Sequence, residues 1–354
     1  VGSGPGGGIA TYALANAGLK VALVEAGPRL KAGDDYSGHH WPYDYADRRA
    51  PNFWRDHREQ NHFAGVGDRP GHGQIRALGG RSICWAGHSL RFGPLDYRQW
   101  PISYEEMAPY YSRAERMMGV FGNRDGLYNI PDGEFLKPVP MRCPEERLRL
   151  GVERLVAKGE KMAFIGQRKA MLTRQPTPEE THWKHRQKCH YCGQCSGCAV
   201  DAKYTSANTP IPLAEETGNL TIFTGAMATR VRLTADESRV AGIEYKTADG
   251  ETHELDAKAL VLSCSAVETA RLLLVSGVAN SSGQVGRNLT SHFGVTVLGF
   301  FPQTLDREMS NDDGTSYYHS LLTGLYWDEP SKDFEGTYQV QCGAGYTSHR
   351  MIFR

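Results

Sequence analysis

The chain has 354 residues and balances 40 Lys and Arg against 40 Asp and Glu, leaving no net charge with His neutral. That length can bury a large core and divide into about two domains, and neutrality removes the electrostatic case for nucleic acid or an anionic membrane surface as partner. No stretch reaches the ~20 apolar residues of a transmembrane segment, and no signal peptide is visible.

The first eight residues, VGSGPGGG, carry a GxGxxG turn at Gly2, Gly4 and Gly7. Glycines serve a tight turn, the close approach of a pyrophosphate to the backbone, and helix–strand packing. Such a turn works at the end of a strand, which is expected to precede Val1. The small, apolar run Ile9 to Gly18 is expected to be the helix whose N-terminus holds the phosphates, with Gly18 as its stop. KVALVE (Lys20 to Glu25) then reads as a buried parallel strand ending in an acid. Glu25 follows Gly2 at close to the roughly 20-residue spacing at which an acidic side chain reaches ribose hydroxyls. Turn, strand and acid together point to a dinucleotide.

From Pro28 to about His72 the chain is polar and aromatic in irregular order and reads as a long surface excursion. Residues 74–100 form a glycine-punctuated loop with aromatics. Tyr104 to Gly119 has helical spacing with an acidic first turn, and Glu146 to Lys158 is a second amphipathic helix. Residues 167–188 are polar and basic. A β meander is expected next, from Leu220–Phe223, Ala228–Leu233, Val240–Thr247 and Glu251–Leu255, with Asp249-Gly250 as a hairpin turn. ALVLS (Ala259 to Ser263) reads as a short buried strand feeding a helix over Ala266 to Ser276, a return to the parallel sheet. Residues 293–354 read as further strands.

Of eight cysteines, Cys189, Cys192, Cys195 and Cys198 follow one another at CxxC spacing; Cys84, Cys143, Cys264 and Cys342 are scattered. Four soft ligands in one short segment suit an iron–sulfur cluster or tetrahedral zinc. Plain or disulfide-linked cysteines in a loop are the third reading. The ferredoxin run has one more residue before its last Cys, and a Pro where this chain has Ala199. His39, His40, His182, His185 and His190 sit in polar stretches and read as solvated. His88 is the better functional candidate, and Trp85 reads equally as cofactor packing or core.

In order, GSGPGGG, VEAGPR (Val24 to Arg29), GGRS (Gly79 to Ser82), WPISYEEMAPYYSRAE (Trp100 to Glu115), SCSAVETARLLLVSG (Ser263 to Gly277) and VGRNLTSH (Val285 to His292) resemble the glucose–methanol–choline (GMC) oxidoreductases. Within that family the chain is most similar to bacterial sugar- and gluconate-type dehydrogenases. The resemblance implies an α/β fold: a doubly wound, Rossmann-like FAD-binding domain with an interleaved α+β substrate domain. The expected division is 1–35, 70–100 and 215–295 for FAD, and 101–214 with 296–354 for the substrate domain.

It implies that Gly2, Gly4 and Gly7 cradle the pyrophosphate, Glu25 binds ribose, Gly79, Gly80 and Ser82 lie along the flavin, and Ala228 meets adenine through its backbone. Cys84 stands where pyranose oxidases carry a flavin-linked His, so covalent attachment and a buried Cys beside a noncovalent flavin both stay open. Ser265 replaces a frequent Gly, with a modest backbone adjustment expected, and His292 reads as structural.

The resemblance further implies FAD-dependent oxidation of an alcohol of a sugar, sugar acid or polyol, by hydride transfer while a base takes the proton. That base, a His partnered by His or Asn, follows an HxxGTxRMG-like segment and is expected beyond Arg354, which would leave this stretch inactive alone. Some bacterial members hold a three-iron cluster with ligands matching Cys189, Cys195 and Cys198, implying an electron-accepting haem or quinone partner. An oxidase making hydrogen peroxide and a cofactor- and metal-binding module without turnover remain the alternatives, and the compartment stays open between bacterial periplasm and cytoplasm.

Overall fold

The computed structural model describes residues 1–36, 75–141, 143–191, 195, 197–290, 294, 295, 297, 299, 302, 320–323 and 339–343. In chain order the elements are α1 (Pro5–Asn16), β1 (Val21–Val24), α2 (Tyr104–Met118), β2 (Val120–Phe121), α3 (Cys143–Val156), β3 (Ala163–Gly166) and β4 (Lys169–Ala170). There follow α4 (Pro210–Glu215), β5 (Leu220–Phe223), β6 (Met227–Leu233), β7 (Val240–Lys246), β8 (Thr252–Asp256), α5 (Ala266–Ser276), β9 (Ser320–Thr323) and β10 (Val340–Cys342). Two compact units emerge, one holding residues 1–36, 75–84 and 205–297, the other 85–204 with β9 and β10.

In the first unit α1 begins inside the glycine turn rather than at Ile9. Pro5 occupies the first helical turn, where its fixed φ suits the helix and its missing N–H costs nothing. Behind it runs β1, paired in parallel with β5 in the register Val21↔Leu220 to Val24↔Phe223. This corrects the expectation that Leu220–Phe223 belongs to the antiparallel meander. Leu220 and Ile222 pack with buried Leu23, Leu78 and Ile211, so apolar contact draws β5 to β1.

The meander itself is β6-β7-β8, antiparallel throughout. Gly250, at φ +88°, closes the expected hairpin turn by donating to the Thr247 carbonyl at 2.9 Å. Helix α5 lies against β6; Ser276 Oγ accepts from Val231 N at 2.8 Å, and Leu272 joins Val24, Val231 and Ile243 in the core. Residues 259–263 do not form the expected buried strand. They are partly exposed, and they meet the backbone of Val1, which donates to Val261 O at 2.7 Å and accepts from Ser263 N at 2.8 Å. A ladder of two bonds falls short of a strand.

In the second unit α2 opens on a capping box between Ser103 and Glu106 and stops at Gly119, left-handed at φ +63°. Arg91 donates from Nε and Nη2 to the Glu115 carboxylate at 2.7 and 2.6 Å, and both side chains are almost fully buried. Within the polar and basic stretch, residues 167–169 are interior: Gln167, Arg168 and Lys169 are all buried. Arg168 clasps the loop before it, donating to Ile130 O at 3.2 Å and Asp132 Oδ1 at 2.7 Å, with its guanidinium over Phe135. Charge that would belong on a surface is tolerated here because partners surround it.

Residues 87–89 run antiparallel to 168–170, with Ser89 N donating to Arg168 O and Ala170 N to Gly87 O. His88 therefore lies directly opposite Lys169, and its ring nitrogens are shielded from solvent. Burial, with the Lys169 ammonium in support, pushes the His88 ring down from 6.5 to about 4. Between those values the unfolded chain takes up a proton that the folded chain refuses. Stability is therefore expected to fall as pH drops through 6.5 and to level off near 4, by an amount on the order of 3 kcal/mol. Urea unfolding across that range checks it, with His88→Gln expected to flatten the dependence.

Candidate functional site

The first unit encloses a cavity of about 740 Å³ where the glycine turn, the end of β1, the 75–81 segment, the start of β6 and the start of α5 converge. Its size falls within the ~300–1,000 Å³ of small-molecule and cofactor sites. Gly2, Gly4, Glu25, Gly80 and Ala228 line it, so five of the nine residues singled out for cofactor binding meet at one void.

Each glycine of the turn answers a different demand. Gly2 has φ +86°, and a Cβ there would stand 2.4 Å from Ser263 O. One on Gly7 would stand 1.8 Å from Gly2 O, so Gly7 permits α1 to pack against its own approach strand. A Cβ on Gly4 would meet nothing within 4 Å. Gly4 thus faces open space at the N-terminus of α1, where it is the N-cap with no side-chain cap and no acid follows in the first turn. Such a helix end, bare of anions of its own, suits a phosphate.

Glu25 is buried and turned inward. Its Oε2 accepts from Ser3 N at 3.1 Å and Ser3 Oγ at 2.6 Å, and its Oε1 from Gly27 N at 2.9 Å. Ser3 Oγ in turn accepts from Gly79 N at 2.8 Å. The sequence reading missed Ser3; its signal was a hydroxyl inside a turn otherwise built of glycine and proline.

Gly79 and Gly80 both have positive φ, +104° and +52°. The first is pressed by Ala207, whose Cβ would be 3.0 Å from a Cβ on Gly79, and the second by Gly4 Cα at 3.2 Å. Gly7, Gly79, Ser82 and Cys84 stand behind the lining. Ser82 Oγ donates to Gly79 O at 2.6 Å and accepts from Ser206 N at 2.9 Å, which fixes the double-glycine turn. The Cys84 thiol, buried, points to Arg81 O at 3.4 Å.

Ala228 sits on β6 opposite Tyr245, immediately before a register shift, and its carbonyl accepts from Arg271 Nη2 at 3.4 Å. Ser265, which also lines the cavity, holds φ +77° and ψ 166°. The serine holds a conformation that glycine adopts readily, at about 1–3 kcal/mol of strain.

In the second unit Cys189 and Cys195 are buried with Phe121 and Met171, and Cys198 packs on them. Among the described residues no three His, Cys, Asp or Glu side chains stand close enough to hold a metal ion. Cys192, His39, His40 and His292 lie outside the described residues. His185 and His190 are exposed and His182 half-buried. Trp85 packs in a core cluster with Val120, Ala170 and Tyr204, donating to Tyr204 O at 2.8 Å.

The turn yields a paired prediction for dinucleotide binding. Gly7→Ala should lower the thermal midpoint sharply, since backbone stands where the methyl must go. Gly4→Ala should leave the midpoint of the cofactor-free protein unchanged but weaken FAD binding at least about tenfold, read by calorimetry. Equal effects of the two substitutions would contradict this division of labour.

A family model described as GMC oxidoreductase matches residues 72–294. The fructose dehydrogenase large subunit of Gluconobacter japonicus is 28% identical over 83% of this chain and 58% of its own length. The 2-methyl-1,2-propanediol dehydrogenase of Mycolicibacterium austroafricanum is 30% identical over 82% of this chain and 54% of its own. The chain thus spans little more than half the length of these relatives. Among solved structures, pyridoxine 4-oxidase from Mesorbium loti aligns with a TM-score of 0.51 at 20% identity, covering 78% of this chain and 51% of that one, a likeness of fold. The cofactor of the family is FAD, and an open glycine cradle beside a cavity of this size fits a dinucleotide. Given the match across residues 72–294, this chain belongs to the GMC oxidoreductase family.

Proposed function

We propose that the protein oxidises a CH–OH group of a sugar, sugar acid or polyol. The observation that carries the reading is the cavity lined by Gly2, Gly4, Glu25 and Gly80 in a chain whose relatives include two alcohol-oxidising dehydrogenases. When bound, FAD supplies the hydride acceptor.

The residues divide the work of holding it. The first-turn amides of α1 and the helix dipole take the diphosphate, and Glu25, steadied by Ser3 and Gly27, presents its carboxylate to ribose. The Ala228 backbone meets adenine. The double-glycine turn at Gly79 and Gly80, held by Ser82, lies along the flavin. The Cys84 thiol is turned to a backbone carbonyl, which favours a noncovalent flavin. A dehydrogenase delivering electrons to a partner subunit is the mode we favour, supported by the relative named as a large subunit.

Anaerobic addition of a panel of sugars, sugar acids and polyols to the FAD-loaded full-length protein should bleach the flavin band with at least one of them. Under air, reoxidation should be slow and yield little peroxide beside an artificial acceptor. No bleaching by any member of the panel would overturn the reading.

A second reading concerns the cysteine segment: Cys189, Cys195 and Cys198 do not stand as a metal site here, and an iron–sulfur cluster is proposed to draw them together. It is favoured by the buried cations around that segment. Lys203, fully buried, donates through Nζ to Trp85 O and Cys195 O, and lies opposite Met171. Arg186 donates to Met118 O and Ala202 O, with Cys198 and Asp201 nearby, and burial pushes its guanidinium down to about 9. An anionic centre among the cysteines would offset that positive charge. Purified full-length protein should then contain iron and acid-labile sulfide, both lost on Cys195→Ser; full FAD loading without iron would remove this reading.

A further inference from the structure

Three arginines line the cavity: Arg76, Arg81 and Arg271. Arg271 is engaged by Glu268, whose Oε2 accepts from its Nε at 2.7 Å, on the side of α5. Arg81 is placed differently. It follows the double-glycine turn, where Gly80 comes so near Gly4 that an added Cβ would lie 3.2 Å from Gly4 Cα. Gly4 is the position of the phosphate turn that opens on free space. Arg81 thus lines the cavity immediately after the residue that meets the helix N-terminus.

The backbone enforces this. Positive φ at both Gly79 and Gly80 winds the chain into the short 3₁₀ turn Gly80–Ile83. In that turn Ser82 and Ile83 face inward and are buried, whereas Arg81 is exposed. Ser82 is pinned from two sides, to Gly79 O and by Ser206 N, so the orientation of its neighbour is set as well. A serine locked inward and an arginine turned outward are two results of one constraint.

We propose that Arg81 is a positioning residue for the cofactor, its guanidinium gripping the diphosphate that the glycine turn and α1 hold from the other side. The chemistry suits the place: a planar guanidinium matches phosphate oxygens bidentately, and a helix N-terminus alone offers only partial charge. The grip rests on the assignment of this cavity to FAD. It adds a cation whose contribution depends on the diphosphate and is blind to the isoalloxazine ring.

The experiment is calorimetric titration of the full-length, cofactor-stripped protein and of Arg81→Ala with three ligands: FAD, ADP and riboflavin. Arg81→Ala should weaken FAD and ADP alike, on the order of 10- to 100-fold, and leave riboflavin unchanged. It should also reduce the salt dependence of ADP binding, while Arg81→Lys recovers part of the loss and Arg81→Gln none. Arg81 is exposed, so thermal midpoints of the stripped variants should match the parent; Arg81→Gln serves as the second probe should Arg81→Ala melt early. Undiminished ADP binding by a folded Arg81→Ala would overturn the proposal while leaving the cavity assignment intact. If the unaltered protein takes neither FAD nor ADP, the cavity assignment fails and the grip falls with it.

Discussion

The Glu25 carboxylate is the joint on which the cofactor unit turns. It stands at the end of β1, buried, and receives Ser3 N, Ser3 Oγ and Gly27 N. Through Ser3 it reaches Gly79 N as well. Three segments far apart in sequence are thus fixed around one acid: the first glycine turn, the turn after β1 and the double-glycine turn. Loss of the acid would leave several buried donors without acceptors, each a penalty of about 1–3 kcal/mol. The geometry of the cavity mouth is therefore a property of this network rather than of any single loop.

The same network shows how a glycine-rich motif acts beyond flexibility. Gly2 and Gly7 are excluded from larger residues by backbone oxygens a short distance away, whereas a Cβ on Gly4 would meet nothing within 4 Å. Two glycines make the fold and one leaves space for a ligand. Ser265, across the cavity, holds a glycine-like conformation without being glycine, and its strain is borne where α5 begins. Backbone strain kept at a cavity wall accords with a site rather than with a plain structural joint.

Much of this was legible in the sequence because local physics repeats there. GxGxxG, the apolar strand ending in Glu25, the acidic first turn of the helix from Tyr104 and the Asp249-Gly250 turn each depend on neighbours a few residues away. What escaped notice depends on distance. Alternation in Leu220–Phe223 fits a strand of either direction, and only packing with Leu23 and Ile211 selects the parallel one. Arg168 and Lys169 carry the composition of a surface, and the burial of Arg168 follows from loop carbonyls and acids some forty residues earlier. Arg81 reads as an ordinary polar residue until Gly80 is seen against Gly4. The cysteine segment was conspicuous by spacing, yet the cations that surround it come from positions no motif marks.

The pairing of β1 with β5 also has a consequence for how the molecule is made. Val21 finds its partner only at Leu220, so during synthesis β1 waits until β5 has left the ribosome. Residues 85–204, contiguous and forming most of the second unit, can condense first. Long-range parallel pairing is intrinsically slow because loop closure must precede the contacts that reward it. The nucleotide cradle is thereby completed only after β5 has been made.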